Sequence, residues 1–115
     1  GHEAAGIMGN DDELIATLKK IGDTVGERVW PLPLYDEYLS YLKSEWADLQ
    51  NAGSRWGGAV TAGTFLKQFV PEKVSWVHLD IAGVGYHEHE HNGLPKGATG
   101  FGVVLSVTFL QNLLK

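Results

Sequence analysis

One apolar run does most to limit what this chain can fold into. Residues 74–81, VSWVHLDI, are rich in β-branched and aromatic side chains and lie between Pro71 and the Ala82-Gly83 pair. Such a run, bounded by residues that interrupt regular structure, predicts a β-strand. A strand needs partners for its backbone groups, and only 57–61 and 103–107 offer an alternative extended reading. We therefore expect the missing strands to come from sequence outside these 115 residues.

Helical patterns surround this strand. Asn10 is placed to cap a helix over 11–25, and Glu13 follows at the spacing of a capping box. A second apolar stripe at helical spacing runs over 35–46, after a connector at 30–34 whose prolines favour extended geometry. Helices beside a mostly buried strand predict an α/β architecture, with helices covering a sheet.

The second half of the chain carries two further helix patterns. Small residues in 57–70 indicate a helix that packs closely against a neighbour, and Pro71 ends it. Glycines 93, 97, 100 and 102 form a long loop, after which 103–114 is apolar enough for a closing helix. This loop is not typical of a nucleotide site, because no Lys-Ser or Lys-Thr pair follows at the required spacing.

The charge balance argues against nucleic acid as a partner. The chain has 9 basic and 14 acidic residues, a formal net charge of −5, and no basic stripe that could neutralise phosphates. It has no cysteine, which excludes a disulfide framework and a thiol nucleophile. No apolar run reaches the length of a membrane span. We expect a soluble, cytoplasmic protein with no membrane partner.

Two acidic groupings could carry chemistry. Asp11, Asp12 and Glu13 are adjacent carboxylates, but at a helix N-terminus they complement the helix dipole, which is the simpler interpretation. His78 and Asp80 lie on one face of the predicted strand and could bind a metal or form a hydrogen-bonded pair. A structural role is the alternative for this pair.

The most unusual local feature is the sequence YHEHEH at 86–91. If this segment is extended, His87, His89 and His91 lie on one side, and imidazoles grouped in this way can bind Zn, Ni or Cu. Alternating charges are also typical of an ordinary solvated loop. The three histidines are therefore candidates for adventitious metal binding only.

Five segments resemble one family of peptidases. ADLQNAGSRWGGAVTAGTFLKQFV (47–70), WVHLDIAGVG (76–85) and PKGATGFGV (95–103) occur in the order and spacing of the leucine (cytosol) aminopeptidase family. GHEAAGIMGNDDEL (1–14) and GERVWPLPLYDEY (26–38) resemble it as well. The resemblance covers nearly the whole chain and corresponds to the C-terminal part of that family's catalytic peptidase domain. Residues 1–115 are therefore expected to form a single, incomplete domain.

The resemblance implies a fold and an activity. The implied fold is similar to that of other co-catalytic zinc peptidases, a mixed sheet flanked by helices. The implied assembly is a hexamer whose active sites face an inner cavity. The activity is the release of N-terminal residues from peptide substrates with two divalent metal ions, Zn or Mn. The family's metal ligands lie in its NTDAEGR signature and in an upstream lysine-aspartate segment, and neither occurs here. No catalytic residue or metal ligand is carried over, and the isolated chain is expected to be inactive.

The resemblance does imply residues of the substrate pocket. Ala82, Gly83 and Gly85 match the positions that shape the pocket for the first side chain of the substrate, and Ala52 matches the wall of the primed pocket. Gly85 departs from the bulkier residue of many family members. The resemblance further implies that the 74–81 strand is central in its sheet and buried on both faces.

Two other functions are consistent with the residues. One is a stand-alone, non-catalytic module that binds a metal or a partner through its His-rich loop. The other is a structural or regulatory paralogue that lacks the catalytic half.

Overall fold

The fold is a small mixed sheet with helices packed around it. The computed structural model describes residues 1–115. In chain order the elements are β1 (Ala5–Gly9), α1 (Asp12–Val25), β2 (Val29–Pro31), a 3-10 helix (Asp36–Leu42), α2 (Gly58–Lys67), β3 (Val77–Asp80), β4 (Tyr86–His87), β5 (Gly97–Ala98) and α3 (Val103–Leu113). The first three strands form one sheet in the order β2-β1-β3, and β4 pairs with β5 separately. The α/β class expected from the sequence is confirmed.

The central strand is β1, which the sequence analysis did not assign. It runs parallel to β2 and antiparallel to β3. Ile7 and Met8 on this strand are completely buried. Its glycines allow close approach of its neighbours: a Cβ at Gly9 would overlap the carbonyl oxygen of Trp76, and one at Gly6 would lie 2.8 Å from Leu32 Cδ1. These glycines, which resemble breakers in the sequence, are thus required by the packing of the strand.

The strand that carries His78 and Asp80 is shorter and more exposed than predicted. It covers Val77–Asp80 rather than 74–81, and each of its four residues is only half-buried. It pairs with β1 along one edge and has no strand on the other. The expectation of a central strand buried on both faces is wrong for this chain, because β1 takes the central position.

The start of α1 is capped one residue later than predicted. Asp11, not Asn10, is the N-cap, and its Oδ1 accepts a hydrogen bond of 3.0 Å from the backbone N–H of Leu14. The Asn10 side chain instead donates to the carbonyl of Val74 at 2.8 Å and accepts from the N–H of Trp76 at 2.7 Å. Asn10 therefore joins the end of β1 to the segment that leads into β3.

The segment over 35–46 is not the α-helix that its apolar stripe predicted. It contains a 3-10 helix that ends at Leu42, and Lys43 then takes an extended conformation with φ −64° and ψ 138°. The Ser44 hydroxyl accepts hydrogen bonds from the N–H groups of Trp46 and Ala47 and holds the chain in a turn. Local bonding by serine competes with helix continuation in this way, and Trp46 is 94% exposed.

Helices α2 and α3 confirm the two predictions made for the second half of the chain. Gly63 of α2 packs directly on β1, since a Cβ there would lie 2.5 Å from Met8 Sδ. The α3 helix begins after Gly102, which has φ 95°, and Glu27 Oε2 accepts a 2.7 Å hydrogen bond from the N–H of Leu105. None of the helices has the length and apolar character needed to cross a membrane.

The core lies where α1 and α3 meet the sheet. Its buried residues are all apolar and come from five parts of the chain: Ala5, Ile7, Leu18, Ile21, Val29, Val84 and Leu105. Val84 belongs to the turn after β3, so this core also fixes the position of that turn.

Candidate functional site

The turn after β3 is held by its own backbone. The N–H groups of Val84 and Gly85 both donate to the carbonyl of Ile81, at 3.0 and 2.8 Å. The N–H of Ala82 donates to Asp80 Oδ1 at 3.1 Å. Asp80 therefore braces the turn, and His78 stacks on Trp76 with ring centroids 6.4 Å apart. These contacts agree with the structural interpretation of the pair.

Three of the four expected pocket residues lie together on this turn. Ala82 is exposed, whereas Gly83 and Gly85 are half-buried. A Cβ at Gly83 would overlap the carbonyl oxygen of Gly1, so the turn has no room for a side chain at that position. A Cβ at Gly85 would lie 3.1 Å from the carbonyl oxygen of Ile81, which is tight, and 3.6 Å from Ile81 Cδ1, which is an ordinary contact.

Ala52 lies in a different part of the fold. It is exposed, in the irregular segment between the 3-10 helix and α2. It is not among the residues that line the cavity beside Ala82, which are His2, Tyr86 and the run 87–91. The structure thus brings the residues of the first expected pocket together but does not join Ala52 to them.

Three histidines converge beside this turn, and one of them was not a sequence candidate. The ring centroids of His87 and His91 are 5.0 Å apart, and His2 lies 6.1 Å from His87 and 5.9 Å from His91. His87 is 6% exposed. His89 lines the same cavity but is exposed and stacks on none of these rings. No signal in the sequence joins His2 to a loop more than eighty residues away.

The acidic residues at the start of α1 form a cap. The Ser75 hydroxyl lowers the pKa of Asp11 most, followed by the backbone N–H of Leu14, while desolvation acts in the opposite direction. Asp12 and Glu13 are exposed in the first turn of the helix. The capping interpretation of the three carboxylates agrees with this geometry.

A co-catalytic metal centre does not fit the residues of this chain. As the side chains stand, no group of three or more His, Cys, Asp or Glu residues is arranged to hold a metal ion. Two metal ions with bridging carboxylates need more acidic ligands at one point than any part of this structure provides.

The comparisons with known proteins agree on one family. A family model described as the cytosol aminopeptidase family, catalytic domain, matches residues 1–107. The probable cytosol aminopeptidase of Geobacter sp. (strain M21) is 54% identical over 111 residues, which are 96% of this chain and 22% of that protein. That of Geotalea uraniireducens (strain Rf4) is 50% identical over 113 residues, 98% of this chain and 23% of that protein.

Solved structures show the same likeness in three dimensions. The cytosol aminopeptidase of Coxiella burnetii matches with a TM-score of 0.88 and 31% identity, over 100% of this chain and 25% of that one. A mutant of tomato leucine aminopeptidase matches with a TM-score of 0.87 and 38% identity, over 97% of this chain and 21% of that one. The chain spans about a fifth to a quarter of the length of the relatives it matches. Because the catalytic-domain model of the cytosol aminopeptidase family matches residues 1–107, the chain belongs to this family.

Proposed function

We propose that this chain is the C-terminal segment of the catalytic domain of an aminopeptidase that releases leucine-like N-terminal residues from peptides. The observation that carries the proposal is the match of nearly the whole chain to the family's catalytic domain. The likeness to a tomato leucine aminopeptidase and to a bacterial cytosol aminopeptidase supports the same activity. A stand-alone module that uses its His-rich loop is not favoured, because the likeness to a relative extends over 96% of the chain and not over that loop alone.

The metals of the parent enzyme belong elsewhere in its sequence. We propose two divalent ions, Zn or Mn, held by residues outside this chain, because the carboxylates present here cap a helix and brace a turn. The contribution of this chain is a wall and not a reacting group. Parent proteins of this kind are proposed to act in the cytoplasm, as homo-oligomers of six subunits.

The proposed wall of the pocket for the first side chain is the turn at Ala82, Gly83 and Gly85. Its support is the double hydrogen bond to the Ile81 carbonyl, which fixes the backbone without any side chain at positions 83 and 85. A rigid turn of small residues leaves space for a substrate side chain beside the backbone. Ala52 is proposed to contact the residue on the other side of the scissile bond.

The experiment that tests the proposed function compares two proteins. The longer protein that contains this sequence should hydrolyse leucine amide in a reaction that a chelator abolishes and added Mn²⁺ or Zn²⁺ restores. The 115-residue chain should show no turnover, because it has no group of residues that holds the metal pair. A longer protein that is folded and loaded with metal but inert towards leucyl and other aminoacyl amides would contradict the proposal.

A further inference from the structure

The three converging histidines come from two distant parts of the chain. His2 belongs to the N-terminal segment before β1, whereas His87 and His91 belong to β4 and the loop after it. Their rings are 5.0 to 6.1 Å apart, centroid to centroid. From this convergence we infer that His2, His87 and His91 form a binding site for one transition-metal ion of the zinc type, which fastens the N-terminal segment to the β4–β5 hairpin.

The hydrogen bonds around the cluster are those that metal-binding histidines need. Such a histidine binds the ion through one ring nitrogen and donates the other N–H to a carbonyl or a carboxylate. Here His2 Nδ1 lies 2.7 Å from the carbonyl oxygen of Gly83, and His91 Nε2 lies 2.8 Å from Glu3 Oε1. The Gly83 carbonyl and the Glu3 carboxylate accept hydrogen bonds, so His2 Nδ1 and His91 Nε2 carry the ring protons. The other two nitrogens, His2 Nε2 and His91 Nδ1, therefore remain available to bind a metal.

The spacing of the rings is close to that of a tetrahedral site. With Zn–N bonds of about 2.0–2.1 Å, three imidazoles on one ion have centroids roughly 5 Å apart. The pair His87 and His91 already has this separation, and His2 lies about 1 Å too far from both. As the side chains stand, the group does not enclose an ion, so His2 must move inward by that amount. It is exposed and lies in the segment before the first strand, which the bound ion would draw towards the hairpin.

The charge around the cluster favours a cation. The adjoining cavity of about 350 Å³ is lined by three carboxylates, those of Glu3, Asp23 and Glu27, and by one basic side chain, that of Arg28. An excess of negative charge stabilises a bound dication, and a neutral imidazole is the form that binds it.

This site differs from the one expected from the alternating spacing of the loop. That expectation grouped His89 with His87 and His91, whereas in the structure the third ring beside them is that of His2. His89 is exposed in the same loop, so a substitution there is a matched control for one at His91.

Isothermal titration calorimetry of the 115-residue chain with zinc chloride tests the inference. The chain is N-acetylated, because a free amino group beside His2 would otherwise offer a ligand of its own. We expect one zinc ion per chain and a rise in Tm on binding. His2→Ala and His91→Ala should each weaken binding more than Glu3→Gln does. Glu3→Gln changes the hydrogen bond to His91 and removes one nearby negative charge, and it should weaken binding by about tenfold. His89→Ala should leave the affinity within about twofold of the unaltered chain, since the His89 side chain is exposed and its ring packs against none of the other three.

Three results would contradict the inference. Absence of binding at neutral pH would overturn the inference, as would a loss of affinity in His89→Ala equal to that in His91→Ala. Unchanged binding in His2→Ala would show a site confined to the hairpin, which also contradicts it. His87 is buried, and its replacement can unfold the hairpin. The test therefore relies on variants of the exposed His2 and the half-buried His91. The absorption of bound Co²⁺ then gives an independent measure, with a tetrahedral spectrum expected for the unaltered chain and its loss expected in His2→Ala.

Discussion

Asp11 holds the first turn of α1 by its charge as well as by its hydrogen bond. The Ser75 hydroxyl and the N–H of Leu14 lower the pKa of the Asp11 carboxyl below its ordinary value. A group whose pKa is lower in the folded state stabilises the fold above its unfolded pKa, and this contribution is lost as the pH falls through the folded pKa. The contribution of the Asp11 charge to stability is therefore present above the acid range and is lost within it.

The replacement Asp11→Asn tests this contribution, because asparagine keeps the cap but removes the charge. The variant should have a lower urea midpoint than the unaltered chain at pH 7, and the difference should vanish once the pH is below the folded pKa of Asp11. Asp48→Asn is the control, since Asp48 is exposed and makes no hydrogen bond or ion pair. A difference between Asp11→Asn and the unaltered chain that does not change with pH would contradict the assignment.

Among the elements, α2 depends on a glycine for its contact with the sheet. Gly63 is buried and lies against Met8 of β1, whereas Gly58 at the start of the same helix has no atom within 4 Å of a Cβ built on it. The two glycines therefore differ in packing while they share a helix.

The replacements Gly63→Ala and Gly58→Ala should change stability in opposite directions. A methyl group at Gly63 overpacks a full core, at a cost of about 1–3 kcal/mol, and the gain in helix propensity of about 1 kcal/mol offsets only part of this. At Gly58 only the gain remains, so that variant should be equal to or more stable than the unaltered chain. Urea denaturation measures the stability of both variants. An increase in stability for Gly63→Ala would show that α2 is not closely packed against β1 at this position.

The elements that the sequence predicted well are those whose signals are local. The α1 and α2 helices and the segment that ends in β3 each have a cap, a proline or a β-branched run, and all three were found within a few residues. The central strand β1 was missed because Gly6 and Gly9 resemble breakers, and their need for close packing is visible only with their neighbours in place. In the same way, His2 joins the histidine cluster through tertiary packing, which no spacing along the chain encodes.

As a whole, the molecule is flat and has a small core. Its principal extents are 46 × 38 × 18 Å, and only 15 of its 115 residues are buried. Many large apolar side chains face solvent, among them a stripe at helical spacing along α3 and its C-cap residue: Val103, Val107, Leu110 and Leu114. Contiguous apolar surface of this kind is typical of an interface, which agrees with the proposal that the rest of a catalytic domain covers it.

The isolated chain should consequently self-associate. Light scattering at micromolar concentration is expected to give a mass above that of one 12.5 kDa chain. The double replacement Val107→Asp and Leu110→Asp, which places charges on the α3 stripe, should reduce the association. Ala16→Asp, at an exposed position of α1, should not. A chain that stays monomeric at all concentrations would contradict the proposal that the exposed apolar stripe is an interface.

The proposal that this chain forms the wall of the first substrate pocket has its most direct test at Gly85. In the longer, metal-loaded protein, Gly85→Met should shift the preference among N-terminal side chains, by about 1–3 kcal/mol between a large and a small residue. Gly85→Ala should shift it less, and the content of bound metal should stay unchanged in both. The measurement is kcat/KM for a series of aminoacyl amides from alanine to leucine. The account predicts that Gly85→Met lowers kcat/KM for the leucyl amide relative to that for the alanyl amide. Identical kcat/KM profiles for the folded variant and the unaltered enzyme would contradict it.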